Sequence, residues 1–224
     1  MRAQVKKMTE SANKPSLWRG GAILGILAAV STALVANTYH YARPLIKANE
    51  QAYLEKSLKP VLGGIKYEDE LTKSLLDLPV PHGLPGSEPA QIYRIYADGN
   101  PAAALFIVSA RDGFAGPIKL LIGVRIDGTI TSVRVLKHKE TPGLGDMIES
   151  ARSDWLLQFD ATSLSAPGRE SWLIKRDGGE FDQLTGASIT PRAIIKAIRE
   201  TLLYFESNSG SIFSTRASDQ DDPS

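Results

Sequence analysis

The sequence contains no cysteine, and this absence removes several kinds of redox centre. Without a thiolate the chain cannot hold an iron–sulfur cluster or a cysteine-ligated zinc ion, and it cannot attach haem through a Cys-x-x-Cys-His motif. A disulfide is excluded for the same reason. Any redox function of this chain therefore depends on an organic cofactor.

Histidine is scarce as well, and the net charge is close to zero. The three histidines, His40, His82 and His138, lie far apart and lack the His-x-x-x-His spacing that places two metal ligands on one helical face. The sequence therefore predicts no metal site. The formal net charge of +1 argues against a nucleic-acid-binding protein, because such proteins usually carry an excess of basic residues.

One segment, residues 20–38, is apolar and carries no charge (GGAILGILAAVSTALVANT). As an α-helix these 19 residues span about 28 Å, close to the roughly 30 Å hydrocarbon core of a bilayer. Five basic residues and one acid precede the segment, which predicts a cytoplasmic N-terminus and an external position for the rest of the chain. The alternative is a cleaved signal peptide, but no Ala-x-Ala site follows the long apolar run.

Charge and composition divide the chain further. Seven basic residues and one acid give residues 1–47 a net charge of +6, and 19 basic and 24 acidic residues give the remainder −5. The predicted parts are a cytoplasmic N-terminus (1–19), a transmembrane helix (20–38), a juxtamembrane helix (39–60), a folded domain (61–206) and a polar, disordered tail (207–224). The mildly acidic domain does not suit an anionic lipid surface.

The folded domain is predicted to be α+β, with an antiparallel sheet and flanking helices. Two Asp-Gly pairs, at 98–99 and 127–128, separate alternating apolar runs and predict hairpins with type I′ turns. The breaker-rich segment 79–89 predicts an irregular surface loop. The predicted strands are 91–97, 102–110, 118–126, 129–137 and 172–175, and the predicted helices are 146–158 and 191–205.

The connection HKETPGLGD, residues 138–146, is the first segment with chemical potential. Gly143 and Gly145 can adopt positive φ and let a planar ligand approach the main chain. The alternative is an ordinary link between a strand and a helix.

The second such segment is DQLTGASITPR, residues 182–192, at the start of the last helix. Thr190 and Pro191 suit the N-cap and first helical positions, and Gly186 among small residues exposes backbone N–H groups. An anion such as phosphate would be stabilised there by the helix dipole. The hydroxyls of Thr185, Ser188 and Thr190 lie within reach, so a phosphate either binds non-covalently or is esterified to one of them. The alternative is a capped helix that binds nothing.

A single N-terminal anchor, HKETPGLGD, and DQLTGASITPRAIIKAI together resemble the G subunit of the Rnf-type ion-translocating electron-transport complex. The resemblance runs from the anchor to about residue 205 and implies a membrane-anchored FMN-binding domain, related to the C subunit of the sodium-translocating NADH:quinone reductase. In that family a flavin transferase uses FAD to join FMN through its phosphate to a threonine of a Ser/Thr-Gly-Ala-Thr motif. The matching position here is Ser188.

The resemblance also implies which residues form the cofactor site. Serine keeps the nucleophilic hydroxyl but lacks the methyl group that restricts threonine χ1. If the transferase requires threonine, FMN is held non-covalently or is absent, and Thr190 is the nearest substitute acceptor. The implied set is Ser188 as the covalent FMN attachment, with Thr185, Gly186, Ala187, Thr190, Glu140, Thr141, Gly143 and Leu144 around it.

By resemblance, the chain is an electron-carrier subunit of a bacterial inner-membrane complex. That complex couples electron transfer between NADH and ferredoxin to Na⁺ or H⁺ translocation, and the FMN domain lies in the periplasm. Its implied partners are the other subunits of the complex, the membrane and, during maturation, the flavin transferase. The alternatives are the related quinone-reductase subunit, and a membrane-anchored sensor or assembly scaffold without redox function.

Overall fold

The computed structural model describes residues 17–62 and 74–214 of the 224-residue chain. The basic segment 1–16, residues 63–73 and the end of the predicted tail, 215–224, lie outside the described residues. The chain divides into two compact units, Met1–Ala52 and Tyr53–Ser224, and each is described by itself.

The first helix, α1, runs without interruption over 45 residues, Leu17–Val61. The prediction of a separate juxtamembrane helix over 39–60 is wrong, because that segment continues α1 through Pro44. No glycine occurs between Ile26 and Leu62, and the good helix formers Ala, Leu, Glu and Lys are frequent there, so Pro44 alone is insufficient to end the helix. Within α1, the 27 residues Gly20–Ile46 are long and apolar enough to cross a membrane.

Five antiparallel strands form one sheet in the order β1-β2-β3-β4-β5. The four-residue edge strand β1, next to the predicted loop, was not predicted, whereas the other four strands were predicted correctly. The strands are β1 (Leu75–Leu78), β2 (Ala90–Ala97), β3 (Asn100–Ala110), β4 (Ile118–Arg125) and β5 (Ile130–Lys137).

The two Asp-Gly hairpins differ in their turns. Asp98 and Gly99 have φ values of 50° and 77°, as a type I′ turn requires. At the second hairpin only Gly128 has positive φ, 84°, and its N–H donates to the Arg125 carbonyl at 2.9 Å. The type I′ prediction is therefore wrong for Asp127 and Gly128, which belong to a longer turn closed by a left-handed glycine.

The connection from β5 to the last helix is less regular than predicted. The predicted helix over 146–158 is wrong, and two 3₁₀ helices, Gly145–Ile148 and Trp155–Phe159, take its place. Ser153 separates them, because its hydroxyl donates to the Met147 carbonyl and accepts from the Trp155 N–H. Such local side-chain bonds compete with helix propagation.

The predicted strand over 172–175 is wrong as well. Only an isolated bridge between Ile174 and Phe181 is present, flanked by the 3₁₀ helices Arg169–Ser171 and Lys175–Asp177. Trp172 is buried, with its ring centroid 4.7 Å from that of Phe181. The apolar side chains that suggested a strand are buried in an aromatic cluster instead of a ladder.

The last helix, α2, spans Ile189–Ser214. Residues 207–214 belong to it, so the predicted disordered tail is wrong over that part. The helix continues because Ile212 is 2% exposed and the Phe213 ring packs edge-on against Tyr96 at 5.9 Å. These contacts supply apolar burial that the polar residues around them do not reveal in the sequence.

The sheet is covered on both faces. On one face, α2 and the 3₁₀ helices pack against apolar side chains of β2 to β5. On the other face, Leu58, Val61 and Leu62 at the end of α1 pack against β2, β3 and β4. Gly123 permits this contact, since a Cβ there would lie 2.7 Å from Val61 Cγ1. One sheet with segregated helices is the predicted α+β class, which is confirmed.

Candidate cofactor site

The segment before α2 forms a tight turn around Gly186. The Ala187 N–H donates to the Leu184 carbonyl at 3.2 Å, and Gly186 has φ = 79° at the third position of the turn. Positive φ at that position is typical of a type II turn and favours glycine. A Cβ on Gly186 would also approach Leu144 Cδ2 to 3.2 Å, so glycine relieves both strain and crowding.

Ser188 immediately precedes α2 and occupies the N-cap position. Its carbonyl accepts a hydrogen bond from the Arg192 N–H at 3.5 Å. The side chain is half-buried, and its hydroxyl makes no hydrogen bond to any residue that the structure describes. The Ser188 hydroxyl is therefore free for another partner at the positive end of the helix dipole.

Thr190 has a different role from the predicted one. It lies inside the first turn of α2, is 0% exposed, and donates its hydroxyl to Glu140 Oε2 at 2.6 Å. The N-cap prediction for Thr190 is wrong, because α2 begins at Ile189. A hydroxyl that is buried and bonded to a carboxylate is not accessible to a modifying enzyme.

Glu140 connects α2 to two loops. Its side chain is 4% exposed, and Oε1 accepts the Ala115 N–H at 3.1 Å while Oε2 accepts the Thr190 hydroxyl. A Cβ on Gly145 would lie 2.7 Å from Glu140 Oε2, and one on Gly113 would lie 3.0 Å from Oε1. The two glycines therefore make room for the carboxylate between the loops.

The segment after Glu140 is a compact loop with exposed residues. The N–H groups of Leu144 and Gly145 donate to the Thr141 carbonyl at 3.2 and 3.1 Å. Gly143, with φ = 79°, donates its N–H to Asp146 Oδ1 at 2.7 Å. These bonds fix the loop internally, so Thr141, Gly143 and Leu144 remain exposed on its outer side.

These elements surround a cavity of about 160 Å³. Seven residues of the predicted cofactor set line it, and Phe114, Gly145 and Ile189, which are outside that set, complete the lining. Gly143 and Thr185 of the predicted set are sequence neighbours of lining residues, but they do not line the cavity themselves. The lining residues are Phe114, Glu140, Thr141, Leu144, Gly145, Gly186, Ala187, Ser188, Ile189 and Thr190.

Apolar side chains around this cavity are unusually exposed. Phe114 is 67% exposed, Leu144 47% and Ile189 46%. Phe114 was missed because its loop, between β3 and β4, is distant in sequence from both chemical segments. Its only signal in the sequence is an aromatic residue among the breakers of RDGFAGP, where no core position is expected.

Two ion pairs anchor the solvent-facing side of α2 near the site. Arg192 donates two hydrogen bonds to the carboxylate of Asp177, at 2.6 and 2.8 Å, and these hold the pKa of Asp177 below its usual value. Lys196 donates to Asp112 at 2.7 Å and lowers the pKa of Asp112 in the same way. Both cations are therefore engaged with carboxylates on neighbouring loops.

Comparison with known proteins decides the family. The family model of the FMN-binding domain matches residues 113–203, and that of the RnfG N-terminal region matches residues 8–61. The G subunit of the ion-translocating oxidoreductase complex from Pseudoalteromonas atlantica is 37% identical over 201 residues, which is 90% of this chain and 94% of the relative. The chain belongs to the RnfG family.

Other members of the RnfG family show the same likeness. The G subunit of the corresponding complex from Vibrio atlanticus is 40% identical over 191 residues, covering 85% of this chain and 90% of the relative, and the one from Pseudomonas aeruginosa is 37% identical over 201 residues, covering 89% and 93%. The crystal structure of Shewanella oneidensis NqrC aligns with 69% of this chain and 81% of that chain, at a TM-score of 0.41 and 16% identity.

This membership confirms the family predicted from the sequence. An RnfG chain is an electron-transfer subunit of an ion-translocating oxidoreductase, and it associates with a membrane and with other subunits. The cofactor predicted from the sequence, FMN, agrees with the FMN-binding domain over residues 113–203. That domain includes every residue that lines the cavity.

Proposed function

We propose that this chain carries electrons through an FMN joined by a phosphoester to Ser188, within a complex that couples electron transfer between NADH and ferredoxin to ion translocation. The attachment point is supported by the state of the two hydroxyls at the start of α2, since the third hydroxyl that lines the cavity, that of Thr141, lies on the loop after β5. That of Ser188 is half-buried and free among the described residues, whereas that of Thr190 is buried and donates to Glu140.

The surroundings of Ser188 suit a flavin phosphate. The helix N-terminus stabilises the phosphate charge, and Gly186 adds no side chain of its own to the approach. Attachment by a transferase that uses FAD joins Ser188 Oγ to the FMN phosphorus, breaks the pyrophosphate bond and releases AMP, while the hydroxyl proton goes to a base. Thr185 and Thr141 also have exposed hydroxyls, but they lie in the Gly186 turn and in the loop after Glu140, not at the helix N-terminus.

The cavity accommodates only part of a flavin. Pockets that enclose a ligand of this size usually measure about 300–1,000 Å³, whereas this one measures about 160 Å³. We infer that the ring system is bound at the surface, against the exposed side chains of Phe114, Leu144 and Ile189. FMN supplies one- and two-electron transfer when bound, and an exposed ring edge allows electrons to pass between neighbouring subunits.

Intact-mass measurement tests the attachment. The full chain, co-expressed with a flavin transferase, is expected to gain the mass of FMN less one water, and peptide mapping is expected to place it on Ser188. Ser188→Ala removes the adduct, whereas Ser188→Thr and Thr185→Ala keep it. An adduct on Ser188→Ala contradicts the assignment, and a chain without flavin in any form favours an assembly scaffold.

The orientation in the membrane is a separate proposal, with the N-terminus in the cytoplasm and the domain in the periplasm. Its support is the excess of basic residues before Gly20. Because the chain has no cysteine, a single one introduced at exposed Glu170 reports its side of the membrane without background. A thiol reagent that cannot cross membranes is expected to label Glu170→Cys in whole spheroplasts but not Ser11→Cys, and the reverse pattern contradicts the orientation.

A further inference from the structure

The proposed function assigns no role to the buried carboxylate in the wall of the cavity. Glu140 is 4% exposed and lines the same cavity as Ser188. Burying a carboxylate is costly unless it is well hydrogen-bonded, so its position at a cofactor site calls for a physical explanation.

The hydrogen bonds of Glu140 suit its charged form. A carboxylate only accepts hydrogen bonds, and both oxygens accept one here, from the Ala115 N–H at 3.1 Å and from the Thr190 hydroxyl at 2.6 Å. Glycines at 113 and 145 leave the space that the carboxylate occupies. The N-terminus of α2, where Thr190 lies, adds the positive end of a helix dipole.

No cation neutralises this carboxylate within the part of the chain that the structure describes. The nearby buried acid, Asp146, differs in this respect, because Arg152 Nη1 lies 3.1 Å from its Oδ2. The neighbouring base His138 accepts the backbone N–H of Glu140 through Nδ1 at 3.0 Å, while its Nε2 lies 2.8 Å from Glu149. Glu140 is therefore held by dipoles alone, and its negative charge acts on whatever occupies the cavity.

We propose that the carboxylate of Glu140 holds the reduction potential of the flavin at Ser188 at a low value. The ring system is placed against Phe114 and Leu144, which line the same cavity as Glu140. Reduction adds negative charge to the ring system, and a carboxylate in the cavity wall disfavours that change because the protein screens its charge less than water does. The oxidised form is therefore favoured and the reduced flavin becomes a stronger donor. This inference rests on the proposed function, since it requires a flavin in this cavity.

Glu140→Gln tests the proposal, because the amide keeps the shape and removes the charge. Its carbonyl oxygen can still accept from Ala115, and its NH₂ can donate to the Thr190 oxygen. In the full flavin-loaded chain in detergent, we expect the equilibrium between oxidised and two-electron-reduced flavin to shift about tenfold toward the reduced form, which is an upward shift of about 30 mV in the midpoint potential.

Glu206→Gln is the matched control. Glu206 undergoes the same chemical change, but it is exposed, pairs with Arg169, and lies 18 residues beyond Ser188 along α2, about 27 Å by helical rise. Its potential is expected to match that of the wild type. Equal potentials in wild type and Glu140→Gln, or equal upward shifts in both variants, overturn the proposal.

Thr190→Val keeps the experiment decisive if Glu140→Gln fails to load or to fold. It retains the charge of Glu140 and removes the hydroxyl that donates to it, so the potential is expected to move downward. An unchanged or higher potential in Thr190→Val overturns the proposal. A wild-type chain without any flavin mass refutes the proposed function as well, whereas a loaded chain whose potential ignores Glu140 refutes only this inference.

Discussion

The two long helices of this protein are similar in average hydrophobicity but differ in what surrounds their apolar side chains. In α1, no residue of the most apolar stretch within Gly20–Ile46 is buried, and Ile26 is 64% exposed. In α2, Ile194 and Ile198 are both 0% exposed against the sheet. The apolar residues of α2 are covered by protein, whereas those of the α1 span suit a lipid environment.

The distribution of polar groups follows the same difference. The α1 span has no Asp, Glu, Lys or Arg from Gly20 to Ala42, and the hydroxyl of Thr38 returns to its own helix, donating to the Leu34 carbonyl at 2.8 Å. By contrast, α2 carries buried Thr190, whose partner Glu140 comes from another segment. Protein cover can supply a partner for a buried polar group, and lipid cannot.

The largest effect is expected from placing charge in the α1 span. The double substitution Leu27→Arg with Val30→Arg costs about 5 to 7 kcal/mol of insertion free energy, since one arginine at a helix centre costs about 2.5 to 3.5 kcal/mol. The chain is then expected in the supernatant after alkaline extraction of membranes. Leu27→Ile with Val30→Ile is the control and is expected to stay in the pellet. Identical partitioning of the two doubles contradicts a membrane-spanning role for α1.

The next effect separates the covered and uncovered positions within α2. Ile198→Ala removes buried methyl groups and is expected to lower the free energy of unfolding by about 2 to 5 kcal/mol. Ile189→Ala makes the same change at a 46% exposed position and is expected to lower it by about 0.5 kcal/mol or less. Denaturant unfolding monitored by tryptophan fluorescence measures both. Equal midpoints for the two variants would mean that α2 is not packed as described.

A smaller effect distinguishes two buried threonines of α2. Thr190→Val leaves Oε2 of the buried Glu140 carboxylate without its donor, while Oε1 keeps the Ala115 N–H, and is expected to cost about 1 to 3 kcal/mol. Thr201 is equally buried, but its hydroxyl donates to the Ala197 carbonyl of the same helix at 2.8 Å. Thr201→Val is therefore expected to cost less than about 1 kcal/mol. Unfolding midpoints of the unloaded chains test the order, and a costlier Thr201→Val would contradict it.

The smallest effect is expected at Asp160, whose carboxyl group is partly buried. Burial raises the pKa of Asp160, and Ser132 and Arg134 oppose this shift only in part. Because the folded protein binds this proton more tightly than the unfolded chain, the carboxyl favours folding at acid pH and loses that contribution as pH rises above about 3.8.

Asp160→Asn is therefore expected to stabilise the fold at neutral pH, by less than about 1 kcal/mol because the side chain is partly exposed. Thermal unfolding of both chains between pH 3 and pH 7 measures the difference. The gain is expected to fall toward zero at the acid end of the range, and a gain that grows toward acid pH would reverse the assigned sign. Asp127→Asn serves as the control, because the pKa of Asp127 is shifted in the opposite direction: the Thr129 N–H lowers it.

Local patterns were reliable where a segment has one strong periodicity or turn signal. The strands β2 to β5 are apolar runs bounded by turn signals and were predicted nearly to the residue. The aromatic segments around Trp155 and Trp172 were misread as a helix and a strand, because their apolar residues serve a cluster shared with Phe159 and Phe181. Such a cluster is assembled from distant segments and imposes no period on any one of them.

The positions of the predicted site residues in the structure can be explained in similar terms. Nine of the ten residues that line the cavity lie in the two sequence motifs, and seven of these nine belong to the predicted set, since each motif is contiguous and carries its own glycines. Phe114 and Ile189 were not predicted, because exposure beside a cavity depends on how three loops meet. Thr190 was predicted to be the N-cap residue, but Ser188 occupies that position. The reason is that α2 begins at Ile189, two residues before its predicted start.

By itself the sequence determined the redox class, the apolar span and the candidate hydroxyls, because these depend on which atoms are present and on their spacing along one segment. The absence of cysteine means that any redox function of the chain depends on an organic cofactor. Only the tertiary structure decided which hydroxyl is free, because the bond from Thr190 to Glu140 joins residues 50 positions apart. A hydrogen bond between distant segments leaves no local pattern, yet it determines which side chain remains accessible for chemistry.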